Sequence, residues 1–178
     1  DVKSFIKFLK QDERKILREL GVKFGRYHIF LPKLFKPNIV TLRILLWKNF
    51  LQKNLDLSPP KFGLNFFESK EDIDRNFMLI CGFEKFDKYY VRIDILERLF
   101  LKIIDGDKEI KLVPEMLNLL GCNKEKFIKL ISKMNYKTFE KNEDTFFRYL
   151  PKKVKNVSIP SKKNRDNPFD ILKQINFK

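Results

Sequence analysis

Arg26, Tyr27 and His28 stand in a row within the run Val22 to Leu31, combining a guanidinium, a stacking ring and a polar ring in three residues. Cations beside aromatic faces hold single-stranded nucleic acid without sequence preference, because every base has a π-face and every linkage a phosphate. The competing reading is structural, since strand aromatics are commonly core and a lone histidine is commonly a hydrogen-bonding group. Two rows of cations at helical pitch offer related chemistry. Lys3, Lys7, Lys10, Arg14 and Arg18 form one, and Lys126, Lys129, Lys133 and Lys137 the other. A row of like charges at one pitch can follow a phosphate backbone, and it can equally be a solvated Lys-rich face. The second row lacks Arg, Asn or Gln at successive reader positions, which predicts backbone contact and shape readout in place of base recognition.

Catalytic patterns are few. Asp105 and Asp107 precede Glu109-Ile110-Lys111, and an acid with a downstream E-x-K can hold a divalent metal in nucleases, the lysine stabilising the attacking water. So short a motif arises by chance in a Lys-rich chain, so a metal-dependent nuclease is the minor alternative and no catalytic or metal-binding residue is assigned. The six glycines never fall in a G-x-x-x-x-G-K-[ST] arrangement, so no phosphate-cradling loop is expected and nucleotide hydrolysis cannot reside in this stretch alone. Cys81, Cys122 and His28 are too few for a four-ligand zinc site or a disulfide framework. A reducing cytoplasm is the default compartment. No apolar run reaches about 18 residues, so no membrane span is expected.

The 178 residues carry 38 Lys plus Arg against 23 Asp plus Glu, a net charge of +15. Part of that excess is compositional, because lysine greatly outnumbers arginine and alanine is absent. It is also uneven: residues 1–62 and 151–178 are strongly basic, 108–150 mildly so, and 63–107 acidic. Basic flanks about an acidic centre favour at least one anion-facing surface. With 43% hydrophobic residues and 19 Phe, the chain can bury a real core. Beginning at Asp1 without Met or a signal pattern, it reads as a piece of a longer protein.

The elements that position these residues follow from periodicity. Val2, Phe5, Ile6, Leu9, Ile16, Leu17 and Leu20 mark one amphipathic helix, with a break near Asp12 as the alternative, stopped by Gly21. Val22 to Leu31 is a strand or hairpin arm. Pro37 opens a helix to about Asn54 whose apolar residues nearly encircle it, so it is expected to be sandwiched, with Trp47 in the core. Ser69 with Asp72, and Asp94 with Glu97, resemble capping boxes. Beyond them come a short strand at Glu109 to Val113, a helix ending at Gly121, a helix capped by Asn123, and a hairpin from Tyr136 to Tyr149 around Asn142-Glu143. That order is the order of a winged helix-turn-helix. The expected architecture is mainly α with small β hairpins (α+β). It comprises a helical module with a β arm at 1–62, an acidic hinge at 63–75, a winged-helix-like module at 76–150, and a basic tail at 151–178 ending in a short helix.

The run Leu20-Gly21-Val22-Lys23-Phe24-Gly25-Arg26-Tyr27-His28-Ile29-Phe30-Leu31-Pro32, followed by Lys36-Pro37 and Leu45-Leu46-Trp47, resembles the segment downstream of the motor core in a group of long bacterial superfamily 2 helicases. These are related to the mitochondrial degradosome RNA helicase. Val91 to Leu99, the turn Leu119-Leu120-Gly121-Cys122 and Asn167-Pro168-Phe169 resemble that group in the same order. The resemblance implies a C-terminal accessory region of an ATP-dependent helicase. ATP and magnesium would then belong to an upstream motor, and no catalytic residue is carried over. The implied work is substrate handling: guiding an RNA or DNA strand, or docking the motor or another protein.

Overall fold

The computed structural model describes residues 6–51, 58–104 and 109–151. They form an α+β fold of short helices and three small antiparallel sheets. Helix α1 (Gln11–Glu19) is started by Glu13, whose carboxylate accepts the Lys10 N–H at 2.7 Å. After it, β1 (Lys23–Phe24) and β2 (Ile29–Phe30) make a hairpin, and a 3₁₀ turn at Pro32–Phe35 leads into α2 (Pro37–Leu51). The chain continues through β3 (Phe66–Glu68), α3 (Arg75–Cys81), β4 (Phe83–Phe86), β5 (Tyr89–Arg92) and α4 (Ile93–Ile104). Last come β6 (Ile110–Lys111), α5 (Pro114–Leu120), α6 (Lys124–Lys133), β7 (Tyr136–Lys141) and β8 (Asp144–Tyr149).

Both three-stranded sheets share one plan, β3–β5–β4 and β6–β8–β7, in which the first strand pairs with the third. The β7–β8 connection has Asn142 and Glu143 both at positive φ, 51° and 65°, the geometry of a two-residue turn whose twist matches the strands it joins.

Strand β5 separates two apolar cores. Tyr90 points into the first, with Val40, Ile44, Phe77, Met78, Cys81 and Phe83. Tyr89 and Val91 point into the second, built largely from α4, α5, α6 and β8. All three strand residues are buried, as the two-residue alternation of a strand with an apolar layer on each face requires.

This arrangement alters several expectations. The stretch 63–75, read as a hinge, carries β3, which pairs with β5 and sends Phe66 to the second core and Phe67 to the first. It is built into the wall between the cores. Asp74, not Ser69, caps α3, its carboxylate accepting the Phe77 N–H at 2.9 Å. Asp94 lies in the first turn of α4 and pairs with Arg92 at 2.6 Å, while Glu97 turns away from the helix start altogether. Only Val40 and Ile44 of α2 are buried. Leu42, Leu45, Leu46 and Phe50 stay exposed, so among the described residues α2 is covered on one side only. Trp47 packs against the first core, its ring 5.8 Å from Phe77. The tail at 152–178 lies outside the described residues.

Candidate nucleic-acid interface

The Arg26–His28 row is bound into the fold through its backbone. The hairpin turns back tightly at Gly25, whose N–H donates to the His28 carbonyl at 2.8 Å. That turn aims three successive N–H groups at one carboxylate: Arg26 and His28 donate to Glu97 at 2.8 Å and Tyr27 at 3.0 Å. A Cβ on Gly25 would overlap the same carboxylate. The His28 ring bridges two buried acids, its Nε2 2.7 Å from Glu84 and its Nδ1 3.3 Å from Glu97. Arg75 completes the cluster with two hydrogen bonds to Glu84 at 2.8 and 3.0 Å. Burial alone would lower the His28 pKa, but the hydrogen bonds and charges of Glu84 and Glu97 outweigh it and raise it to about 9. Burial likewise pushes both carboxyls up, and His28 with its companion donors pulls them below the usual range. The cluster is an imidazolium between two carboxylates, satisfied internally. Tyr27 packs at a tilt against Phe100, ring centroids 4.2 Å and planes 38° apart, with the Arg26 guanidinium 5.6 Å from the Tyr27 ring centre. Tyr27, His28 and Lys133 meet along one cleft, which Arg75 and Tyr149 also line.

The Lys-striped helix faces acids of the first sheet. Lys133 pairs with Asp87 in the β4–β5 turn at 2.7 Å, and Lys126 lies 3.8 Å from Glu68 on β3. Glu68 is held below its ordinary pKa chiefly by Lys88, then by the charges of Lys126 and Lys129. Lys137 does not continue the helical row, because α6 ends at Lys133 and Lys137 sits on β7. The stripe is therefore broken and partly neutralised.

The first row is also uneven. Lys7 and Lys10 are exposed, whereas Arg14 turns inward and donates to the Ile6 carbonyl at 2.8 Å. Arg18 lies over the Phe24 ring at 5.5 Å. Lys3, Asp105 and Asp107 lie outside the described residues. Lys111 pairs with Asp144, and Glu109 lies 3.8 Å from Lys141. Among the described residues no group of three acids, cysteines or histidines is placed to hold a metal, and no helix is long and apolar enough to cross a membrane.

A surface that the rows did not anticipate lies on the second sheet. Tyr136, Thr145, Phe147 and Ile110 face the core, so strand alternation puts Lys111, Lys137, Phe139, Lys141, Asp144, Phe146 and Arg148 on the other face. Phe139 and Phe146 are direct cross-strand partners, stacked with centroids 6.0 Å apart and planes 18° apart. They belong to neither core. Lys137 lies directly opposite Arg148, both exposed.

No family model, curated protein or solved structure matches this chain. The site therefore rests on its own geometry. Of the residues singled out by type and spacing, the structure brings Tyr27, His28 and Lys133 to one cleft and puts Lys137 on the outer sheet face. It assigns Glu84, Glu97 and Arg75 to the histidine cluster, which no local motif marks. The outer-face residues did carry a signal, the alternation along 136–149, once that alternation is followed on its polar side.

Proposed function

We propose that this chain is a non-catalytic accessory region of an ATP-dependent helicase that holds nucleic acid by its phosphate backbone and guides the strand. The resemblance of its first hairpin and following helix to that group of helicases supplies the context. The unit α4–β6–α5–α6–β7–β8, with strand order β6–β8–β7, supports reading the second half as a winged helix-turn-helix, by analogy of element order. One observation carries the binding reading: Lys137 and Arg148 are held directly opposite each other on an exposed sheet face, and neither forms an ion pair among the described residues. Like charges in that register repel and cost stability unless an anion joins them. A bound phosphate supplies that anion. The upstream motor would supply ATP binding and magnesium.

Fluorescence anisotropy with labelled single-stranded and duplex RNA and DNA, at low and moderate salt, tests the reading. Binding that weakens steeply with salt is expected. Absence of binding at low salt, or salt-independent affinity, would sink it.

A second reading, docking onto the motor or another protein, is favoured by the uncovered side of α2. Leu42, Leu45, Leu46 and Phe50 repeat at helical spacing there, and Phe50 is 83% exposed, an apolar strip of the kind that partners cover. Under this reading Leu45→Asp with Phe50→Asp leaves the fragment's melting temperature unchanged and abolishes co-elution with a separately expressed motor segment. Undiminished co-elution would dismiss it.

A further inference from the structure

We infer that the outer face of the β6–β8–β7 sheet is a stacking platform for unpaired bases, which makes single strands the preferred substrate. This deepens the nucleic-acid reading above and rests on it. The face has the three parts such a platform needs. Phe139 and Phe146 are near-parallel neighbours across the β7–β8 pair, half-buried and part of neither apolar core. Cations surround them: Lys137 and Arg148 at one end along the strands, Lys141 at the other, and Lys111 directly across from Phe146 on β6. Two residues along a strand advance about 7 Å, so a base over the Phe pair has a cation within one side-chain length in either direction. The one carboxylate on these strand positions, Asp144, is occupied by Lys111, leaving the Lys137–Arg148 end positive.

The geometry selects against duplex for a physical reason. Duplex bases are stacked on each other and present only edges and backbone, so the flat ring faces gain nothing from them. An unpaired base offers its π-face to the ring while its phosphate meets Lys137 or Arg148. No Asn or Gln stands among these residues and Arg148 is directed to the phosphate, so the preference is for strandedness and not for sequence.

The test compares the parent protein with Phe139→Ala/Phe146→Ala and with Lys137→Glu/Arg148→Glu, using three probes: a short labelled oligouridylate, an abasic strand of equal length, and an RNA duplex. Stacking is worth roughly 1–3 kcal/mol per base by alanine substitution, so the Phe variant should bind oligouridylate about tenfold or more weakly while its affinity for the abasic strand and the duplex stays at the parent's level. The charge variant should lose affinity for all three. A 2-aminopurine probe read with the parent protein should change fluorescence on stacking, which keeps the proposal testable if the Phe variant fails to fold by circular dichroism. A folded Phe variant with parental oligouridylate affinity, or a bound 2-aminopurine strand with unchanged fluorescence, overturns the platform and leaves backbone binding standing. A parent protein that binds none of the three probes at low salt overturns both.

Discussion

Glycine 25 and Glu97 fit together as a notch and a plug: the missing side chain leaves the space that the Glu97 carboxylate fills, and the carboxylate collects the N–H groups of residues 26, 27 and 28. Gly25→Ala should push the carboxylate out, leaving those donors unpaired and the His28 ring with Glu84 alone. Hydrogen bonds to a charged group are worth about 1.5–3 kcal/mol each, and partial replacement by water brings the expected loss to about 2–4 kcal/mol. Urea denaturation checks this, and a change in midpoint smaller than the experimental scatter would contradict it.

The His28 cluster makes stability depend on pH with a defined sign. The folded imidazole titrates at about 9 against 6.5 for an ordinary histidine. Between those values the folded chain keeps a proton that the unfolded chain has released, so the stabilisation is complete below about pH 6.5 and is lost as pH rises to about 9. Above that, neutral His28 leaves Glu84 and Glu97 without their shared cation. The loss is at most about 3 kcal/mol. Thermal melts across pH 6 to 10 should show a fall over this window in the parent and a smaller one in His28→Gln. Equal slopes would remove His28 from the account.

Charge removal should separate the sheet face from the α6 helix. Each phosphate contact to a single strand contributes about 0.7 to the slope of log affinity against log salt. Lys137→Glu with Arg148→Glu should therefore reduce the slope by about 0.7, for the one phosphate that the pair joins. Lys133→Ala should leave it near the parent value, because Lys133 is already paired with Asp87. The reverse ranking in a salt titration would return the interface to the helix.

The two sides of α2 should respond differently to substitution. Ile44 is buried in the first core and Leu46 is exposed. Ile44→Ala should cost about 2–5 kcal/mol through lost burial and a residual cavity, whereas Leu46→Gln should stay within about 0.5 kcal/mol. Chemical denaturation of both variants decides it, and comparable losses would mean that the outer side is covered in solution.

The buried Cys81 thiol and the half-buried Cys122 thiol should be slow to react. Burial pushes Cys81 up to about 12 and Cys122 up to about 11, so little thiolate exists near neutral pH. Reaction with a disulfide reagent should be far slower in the native protein than in urea. A fast native phase would place a thiolate at the surface.

Local patterns were legible because local patterning is set by neighbours in the chain. Gly21 just past the end of α1, Pro37 at the start of α2, Asn123 as the cap of α6 and the turn at Asn142-Glu143 all follow from contacts within a few residues, so residue order alone carried them, and with them the α+β class. The capping box read at Asp94 and Glu97 shows where that logic stops. Glu97 fits a local motif, yet its partners lie 69 to 71 positions away at residues 26 to 28, and a buried carboxylate goes to whichever donors the packed chain offers. The same holds for cations. Both Lys rows were visible as spacing, but which lysines meet acids depends on β3 and the β4–β5 turn lying beside α6, and which ones stand with aromatic rings depends on the register of β7 against β8. Periodicity assigns a residue to a face of its own element; only the packing of elements against each other decides what that face meets.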